Sequence, residues 1–397
     1  MDMQGYIERS ITSALKSRLN LFPAVALIGP RQCGKSSLAQ RVSEDFPGAL
    51  RLDLENPRDR AKLADPQLYL EMNASKFICI DEIQLMSELF PVLRTEIDRD
   101  RRPGRFLILG SASRTLINKS AESLAGRIDY LELSPFLPTE YLPGTPPSLL
   151  GGLWRGGFPE SALAANDTAS TLWREAFLKS VVERDLSLLG TRVSAIAWRR
   201  FLTMIAHLQG QILNAAKLGT SLDLVGQAVR ARLDFLQEAL FVRLLPPWEG
   251  NLTKRLIKSP KLYIRDSGLN HSLLGIDGVE ALLGHPVFGA SWEAFCVETL
   301  TVSFPDWTPS FYCSSGGAEI DLVLERGSRR LAFEFKASSA PSPTRGFHSA
   351  LADLEPEQAY LVGILEGSYP AGAKVTACGI RECVDLVRGR IKDSAYR

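Results

Sequence analysis

The sequence predicts an α/β protein that is built from more than one domain, and three observations support this prediction. The chain has 397 residues, which is too long for one ordinary hydrophobic core. A short apolar run leads into a glycine-rich loop and then a helical pattern at residues 24–43. Two alternating strands flank a Gly-Ser pair within residues 318–336. These features predict a parallel sheet near the start of the chain and a β-hairpin near its end.

Composition and charge limit the partners that we expect. The net charge is +1, with 46 basic and 45 acidic residues, so no overall field draws the protein to nucleic acid. Any DNA contact must therefore come from a local basic patch. The six cysteines form no CxxC pair and have no zinc-type spacing, which indicates thiols in a reducing compartment. The polar start and the lack of a long apolar run predict a cytoplasmic protein that does not enter a membrane.

Residues 24–43 read AVALIGPRQCGKSSLAQRVS and contain the complete pattern G-x-x-x-x-G-K-[ST] between a strand and a helix. Gly29 and Gly34 let backbone N–H groups curl around phosphate, and the helix N-terminus favours negative charge there. Lys35 is expected to reach the β- and γ-phosphates of ATP, and the Ser36 hydroxyl to ligate Mg²⁺. The residues expected to contact the nucleotide are Gly29, Pro30, Arg31, Gln32, Cys33, Gly34, Lys35, Ser36 and Ser37.

A second apolar strand, FICIDEIQ at residues 77–84, carries two adjacent acids where its apolar run ends. Two carboxylates at the carboxyl end of a buried parallel strand are costly unless a cation lies nearby. We therefore assign Asp81 to the outer shell of Mg²⁺ and Glu82 to polarisation of the attacking water. The alternative is a pair of solvated acids that begin a loop.

A third apolar strand, FLILGSAS at residues 106–113, ends in small polar residues. Ser111 or Ser113 is expected to sense the γ-phosphate from the end of a neighbouring strand. The segment LAGRI at residues 124–128 contains Arg127. Arg127 is a candidate to complete an active site, either in its own chain or as an arginine finger in a neighbouring chain. The alternative is an ordinary arginine at the end of a helix.

These motifs together resemble a large family of prokaryotic AAA+ ATPases. They lie between residues 29 and 136 in the family's order and read GPRQCGKSS, LDLENP, FICIDEIQ, LGSAS, LAGRI and ELSPF. The resemblance implies a P-loop αβα sandwich, which is followed by a conserved C-terminal region of unknown function. It also implies a homo-oligomer, because AAA+ relatives often work as rings.

The middle of the chain follows TPPSLLGG at residues 145–152, which we interpret as a linker. Residues 211–265 predict a winged-helix module, in which a helix–turn–helix segment precedes two strands joined by a loop. The basic residues of its second helix and loop are Arg230, Arg232, Lys254, Arg255, Lys258 and Lys261. They predict contact with nucleic acid. The alternative is that the module packs internally or binds protein.

Residues 318–336 read AEIDLVLERGSRRLAFEFK and form the predicted hairpin. Glycine at the first central turn position favours a type II′ turn at Gly327-Ser328, which places Asp321 opposite Glu334. One face would then be apolar, with Ile320, Leu322, Leu324, Leu331, Phe333 and Phe335. The other face would carry Asp321, Glu334 and Lys336, and its two opposed carboxylates are spaced to chelate one hard cation.

The hairpin resembles the active hairpin of the PD-(D/E)XK nuclease superfamily, with Asp321 followed by Glu334-x-Lys336. A preceding helix in that superfamily often adds a glutamate, and Glu293 matches this position. The resemblance covers residues 285–395, and it implies that Asp321, Glu334 and Lys336 are catalytic. It also implies a metal site formed by Glu293, Asp321 and Glu334. This chain departs from the superfamily's pattern because Ala-Glu-Ile rather than proline precedes Asp321. The alternative interpretation of the hairpin is a polar strand face on which Lys336 forms a salt bridge with a neighbouring acid.

We therefore predict an AAA+ P-loop ATPase domain at residues 1–145, a helical and winged-helix module at 146–270, and a restriction-endonuclease-like α/β domain at 271–397. The predicted function is Mg²⁺-dependent ATP hydrolysis coupled to binding and remodelling of DNA, including branched or single-stranded DNA. Whether the nuclease-like domain cleaves DNA stays open. One alternative is a nucleotide-switch ATPase of signalling or stress responses whose C-terminal modules bind proteins. Another is an ATP-gated nuclease of a defence system.

Overall fold

The computed structural model describes residues 6–111, 123–140, 148–185, 193–250 and 257–395. The chain divides into two compact units. One comprises Met1–Phe136 with Glu238–Leu240, and the other comprises Leu137–Gln237 with Phe241–Arg397. The predicted boundary between residues 270 and 271 falls inside the second unit. The division into three domains therefore stays a prediction. Among the residues described, no helix combines the length and apolar character that a membrane span requires.

The first unit is organised around a five-stranded parallel sheet. Its strands are Ala24–Gly29 (β1), Leu50–Asp53 (β2), Ile78–Asp81 (β3), Phe106–Ser111 (β4) and Ile128–Glu132 (β5), in the spatial order β2-β3-β4-β1-β5. The described helices are Thr12–Leu19 (α1), Lys35–Ser43 (α2), Pro57–Lys62 (α3), Pro66–Met72 (α4) and Leu89–Arg99 (α5), with a 3₁₀ turn at Ile83–Met86. This arrangement confirms the predicted parallel sheet.

Both faces of this sheet are buried, which explains the continuous apolar runs in the sequence. Phe106 and Ile108 of β4 point into one hydrophobic cluster, and Leu107 and Leu109 point into another. A strand that is covered on both sides needs an apolar residue at every position. The two clusters therefore form the two interfaces between the sheet and its helices.

The second unit begins with helices that pack around a small antiparallel sheet. The helices are Leu149–Arg155 (α6), Pro159–Ala162 (α7), Asp167–Ser180 (α8), Ala195–Ala206 (α9), Ala215–Ser221 (α10) and Gly226–Glu238 (α11), with a π-helical turn at Val181–Asp185. The strands are Gln211–Ile212 (β6), Val242–Leu245 (β7) and Lys261–Ile264 (β8), in the order β6-β8-β7. Trp198, Phe201 and Leu233 are among the buried residues of the shared core.

A six-stranded mixed sheet completes the second unit. Its strands are Thr308–Cys313 (β9), Glu319–Arg326 (β10), Arg329–Phe335 (β11), Gln358–Gly363 (β12), Ser368–Gly372 (β13) and Val375–Gly379 (β14), in the order β13-β14-β12-β11-β10-β9. Its helices are Ser267–Leu274 (α12), Val279–Leu283 (α13), Phe288–Ser303 (α14), Arg345–Leu354 (α15) and Ile380–Ala395 (α16). Strands β11, β12 and β14 are parallel, and the remaining neighbours are antiparallel.

The hairpin β10–β11 has the predicted register. Arg326 pairs with Arg329 and Leu322 with Phe333 across the turn. Gly327 has φ +61° while Ser328 does not have positive φ, as a type II′ turn requires. The predicted pairing is therefore confirmed from Arg326–Arg329 to Leu322–Phe333, and Asp321 opposite Glu334 stays a prediction.

The predicted faces of this hairpin are wrong in one respect. Ile320 does not share a face with Leu322, because the pairing of β10 with β9 shifts between Ile320 and Val323. Ile320 instead packs in the cluster that contains Val323 and Ala332, beneath α15. The second face is therefore apolar in its middle, with Glu334 and Lys336 towards one end and the ion pair of Glu325 with Arg330 towards the other.

Candidate active site

The glycine-rich loop lies between β1 and α2, and its backbone requires two of its glycines. Gly34 has φ +98°, a conformation that residues with a Cβ rarely adopt. A Cβ on Gly29 would lie 2.4 Å from the carbonyl oxygen of Leu133. The loop residues Pro30, Arg31, Gln32 and Cys33 lie between these glycines, and Ser37 is exposed in the first turn of α2. The sequence pattern thus marks a backbone that only glycine permits at two positions.

The ammonium of Lys35 is held inside this loop. Lys35 is 5% exposed, and its Nζ donates to the carbonyl oxygens of Gly29 at 3.0 Å and Pro30 at 2.8 Å. Carbonyl oxygens carry only partial negative charge, so they neutralise a buried ammonium incompletely. The loop therefore presents a cation that a phosphate group would neutralise better.

Ser36 and Asp81 meet at the carboxyl edge of the sheet, as predicted. The Ser36 hydroxyl donates to Asp81 Oδ2 at 2.6 Å, and Asp81 Oδ1 accepts from the backbone N–H of Glu82 at 2.9 Å. A hydroxyl and a carboxylate are hard oxygen donors of the kind that Mg²⁺ prefers. The two residues therefore fit a magnesium ion, with the Ser36 hydroxyl suited to ligate it and Asp81 suited to its outer shell.

Glu82 lies beside the loop in an unusual backbone conformation. Its φ is +55°, which is uncommon for a residue with a side chain and is often found at functional sites. Burial raises the pKa of the Glu82 carboxyl, and the nearby positive charge of Lys35 partly opposes that rise. The Gln84 amide donates to Glu82 Oε2. Gln84 thus orients Glu82, a role that the sequence pattern did not reveal.

The structure bears differently on the predicted γ-phosphate sensors, Ser111 or Ser113, and on the predicted active-site arginine, Arg127. Ser111 ends β4 and pairs in register with Gly29, so its backbone lies beside the loop. Ser113 lies outside the described residues, and a sensor role for either serine stays a prediction. Arg127 immediately precedes β5, which starts opposite Ala24 at the amino end of β1. The loop follows the other end of β1, roughly 16–20 Å away for a strand of six residues.

Arg127 therefore does not complete the active site of its own chain, and that part of the prediction is wrong. Its Nε and Nη2 each donate to the carboxylate of Asp98 at 2.8 Å. Arg127 is separated from the glycine-rich loop because β5 runs parallel to β1, so the start of β5 lies far from the loop at the end of β1. A role in a neighbouring chain stays a prediction.

Arg9 is a residue of this site that the sequence analysis missed. It is 4% exposed, and Nη1 donates to the carbonyl of Cys33 at 2.9 Å. Its Nη2 donates to the carbonyl of Ser134 at 2.6 Å, and the guanidinium lies 4.8 Å from the ring centre of Phe136. Arg9 thus connects the loop to the segment ELSPF. An isolated arginine in a polar stretch gives no motif that would have revealed this contact.

In the second unit, the four residues of the predicted nuclease site lie close together. Lys336 Nζ lies 2.8 Å from Glu334 Oε1, and Asp321 Oδ2 accepts from the backbone N–H of Phe335 at 3.0 Å. Burial, followed by repulsion from Asp321, raises the pKa values of both Glu293 and Glu334. The fold therefore gathers carboxylates from α14, β10 and β11.

Lys261 was predicted to belong to an exposed basic loop, and this prediction is wrong. Lys261 is 4% exposed and begins β8. Its Nζ lies 3.0 Å from Glu293 Oε1, 3.0 Å from Glu319 Oε1 and 3.2 Å from Asp321 Oδ1. Burial alone would lower the pKa of Lys261, but these carboxylates outweigh it and raise the pKa. A cation neutralised in this way is not available to DNA.

The remaining basic residues of the middle segment differ in exposure. Arg232 is half-buried and lies 5.4 Å from the ring centres of both Trp198 and Phe201, unlike the exposed Arg230 and Lys258. Lys254 and Arg255 lie outside the described residues. Of the basic residues predicted to contact nucleic acid, only Arg230 and Lys258 are therefore both described and exposed.

The geometry of the first unit is that of a P-loop ATPase, and a family model described as "AAA domain" matches residues 21–142. The protein is therefore an ATP-hydrolysing enzyme that contains an AAA domain. The chain belongs to the same family as Uncharacterized protein Rv2008c of Mycobacterium tuberculosis and Uncharacterized protein Mb2031c of Mycobacterium bovis. It is 42% identical to each over 370 residues, which cover 93% of this chain and 82% of each relative.

Other comparisons describe the rest of the chain only in general terms. Two models, both described as a domain of unknown function (DUF8612 and DUF4143), match residues 148–280 and 288–383. The solved structure of the Walker-type ATPase PABY2304 of Pyrococcus abyssi is 15% identical and has a TM-score of 0.45, covering 68% of this chain and 97% of that chain. This likeness is too low to support a functional inference.

Proposed function

We propose that this AAA ATPase couples Mg²⁺-dependent ATP hydrolysis to binding and remodelling of DNA. The observation that carries the proposal is the convergence of Glu293, Asp321, Glu334 and Lys336 at one end of the β10–β11 hairpin. Their order, on a helix, a first strand and a second strand, matches the PD-(D/E)XK resemblance of the sequence. Domains of this kind act on nucleic acid, so the second unit is the part that contacts DNA.

Hydrolysis itself depends on the loop and the edge of the sheet. Lys35 neutralises the charge on the β- and γ-phosphates, and the Glu82 carboxylate accepts a hydrogen bond from the attacking water. Water attacks the γ-phosphorus while the bond to the β-phosphate oxygen breaks, which releases ADP and phosphate. Ser36 and Asp81 would hold Mg²⁺, which supplies further positive charge to the phosphate oxygens.

The middle of the chain supports a contact with DNA through its element order. Helix α9, strand β6, helices α10 and α11 and strands β7 and β8 follow one another as in a winged-helix module, with the strand order β6-β8-β7. Of the basic residues predicted to contact nucleic acid, Arg230 on α11 and Lys258 before β8 are described and exposed, so they can approach phosphate. We assign them to the DNA-contacting surface.

A binding experiment with paired variants tests this proposal. We expect the full-length protein to bind linear, single-stranded or branched DNA in EDTA, and its ATPase rate in Mg²⁺ to rise with that DNA. The double variant Arg230→Ala/Lys258→Ala should bind more weakly, and the slope of log affinity against log salt should fall by about two, because two phosphate contacts are lost.

The matched control removes the same number of charges from the first unit. Arg58→Ala/Lys16→Ala also replaces two exposed cations, and it should leave the salt slope unchanged. If no DNA is bound and none changes the ATPase rate, the proposal fails. A nucleotide switch that binds protein partners would then be the better explanation. DNA cuts that disappear in Glu334→Ala would instead indicate an ATP-gated nuclease.

A further inference from the structure

The carboxylates of the second unit surround a cation that belongs to the protein. Lys261 reaches Glu293, Glu319 and Asp321, which come from α14 and β10, with Nζ–O distances of 3.0, 3.0 and 3.2 Å. Tyr263, two residues further along β8, donates its hydroxyl to the same Glu293 Oε1 at 2.6 Å. Side chains of β8 therefore already satisfy the carboxylates at which a divalent cation would be expected.

Two further oxygens of the cluster are also engaged. Asp321 Oδ2 accepts from the backbone N–H of Phe335, and Glu334 Oε1 accepts from Lys336. Glu334 Oε2 is buried and has no hydrogen-bond partner. Mg²⁺ is usually held by one or two carboxylates with waters as its other ligands, so the position of Lys261 between Glu293 and Asp321 is the decisive feature. Among the described residues, no group of three or more His, Cys, Asp or Glu side chains is arranged to hold a metal ion.

Geometry and charge explain why the lysine and a metal ion exclude each other. Oxygen ligands approach Mg²⁺ to about 2.0–2.1 Å, whereas hydrogen bonds to an ammonium have N–O distances near 3 Å. Glu293 and Asp321 cannot close on a metal ion while Lys261 lies between them. Two cations at this spot would also repel one another strongly at low dielectric. The residues present therefore do not fit a divalent cation.

We infer that Lys261 is a resident counter-cation that takes the place of the divalent metal ion in the nuclease-like cluster. The second unit then contacts DNA without cleaving it. This inference rests on the proposed function, because it concerns how the proposed DNA-contacting unit works. It further implies that removing the ammonium of Lys261 leaves a set of carboxylates able to bind a metal ion.

The test counts the Mn²⁺ ions that nucleotide-free, full-length protein binds, using electron paramagnetic resonance of free Mn²⁺. The wild type and Asp321→Asn should bind the same number, because Asp321 ligates no metal while Lys261 is present. Lys261→Met should bind one additional Mn²⁺ per chain, and Lys261→Met/Asp321→Asn should lose it. Ions at Ser36 and Asp81 contribute equally to all variants and cancel in the comparison.

Two controls separate the effect of this cation from unfolding and from general charge. Lys374→Met removes an exposed lysine of the same unit and should match the wild type. Lys261→Gln keeps most of the side-chain volume and a hydrogen-bond donor, and it replaces Lys261→Met if circular dichroism shows the latter to be unfolded. Wild-type Mn²⁺ binding that Asp321→Asn abolishes would overturn the inference. So would folded Lys261 variants that bind no additional ion.

Failure of the proposed function would look different. DNA binding by the wild type in EDTA involves no metal ion, so its absence would reject the DNA role while leaving the Mn²⁺ counts interpretable. Normal DNA binding together with a wild-type Mn²⁺ site at Asp321 would reject only the role of Lys261.

Discussion

Lys35 and Lys261 are both almost fully buried, yet their surroundings predict opposite behaviour. Lys35 donates to two carbonyl oxygens, so a phosphate with full negative charge would be a better partner. Lys261 lies among three carboxylates and needs no ligand. At the scale of single residues, the partner of a buried cation thus distinguishes a binding group from a structural one.

Arg9 provides a prediction at the same scale. We expect Arg9→Ala to lower the free energy of unfolding by about 1–3 kcal/mol, because the buried carbonyls of Cys33 and Ser134 lose a charged donor. The KM for ATP should also rise, since the loop loses its connection to the segment ELSPF. Urea unfolding and phosphate-release assays measure the two effects.

The control for Arg9 is Arg58→Ala, which removes an exposed arginine of the same unit and should change neither quantity. An Arg9→Ala variant with unchanged KM would show that Arg9 only stabilises the fold and does not position the loop.

At the scale of elements, buried polar contacts hold α12 between α6 and α14. Nδ1 of His271 lies 3.1 Å from the carbonyl of Trp154, and Nε2 lies 2.6 Å from Ser291 Oγ. A carbonyl can only accept, so Nδ1 carries the proton, and in the neutral imidazole Nε2 accepts from the serine hydroxyl. Burial favours this neutral imidazole and lowers the pKa of His271 from 6.5 to about 4.

The lowered pKa predicts a loss of stability in mild acid. The unfolded chain takes up a proton at His271 near pH 6.5, while the folded chain resists it until about pH 4. The stabilisation that neutral His271 provides should therefore be fully present above pH 6.5. The free energy of unfolding should fall by about 3 kcal/mol as the pH drops to 4. Urea titrations across this range measure the change.

His271→Gln cannot titrate and should be less stable at pH 7 but show a shallower pH dependence. His207→Gln, which removes an exposed histidine of the same unit, should keep the wild-type slope. Equal slopes in wild type and His271→Gln would mean that His271 is not the group responsible.

At the scale of the whole molecule, the position of Arg127 allows a test of the predicted homo-oligomer. It lies at the amino end of the parallel sheet and therefore cannot reach the phosphate loop of its own chain. If it acts in a neighbouring chain, Arg127→Ala alone should lose most ATPase activity. Mixing it with Lys35→Ala should restore activity, because mixed oligomers pair an intact loop with an intact arginine.

Arg101→Ala is the matched control for this experiment. Arg101 Nη2 also lies 2.9 Å from Asp98 Oδ1, so its loss disturbs the same carboxylate without removing Arg127. It should retain activity without mixing. If the Arg127→Ala mixture is no more active than the sum of its parts, the arginine serves only to hold Asp98.

The sequence was most informative where function depends on consecutive residues. The loop from Gly29 to Ser36 needs particular backbone angles and a helix start, and both are local properties of the chain. The hairpin register followed in the same way from the turn at Gly327-Ser328. The parallel sheet was likewise visible in the apolar runs, because strands buried on both faces leave no polar positions.

Only the tertiary structure decided which charges meet. Lys261 lies 32 residues from Glu293 and 60 from Asp321 along the chain, so no spacing could place it among those carboxylates. The sequence also did not reveal three other features. These are the irregular pairing near Ile320, the contact of Arg9 with the loop, and the position of Arg127 at the amino end of the sheet. By itself the sequence determined the ATPase loop and the hairpin, whose geometry is local. Packing decided the partners of the buried charges, because electrostatic contacts depend on distance in space rather than along the chain.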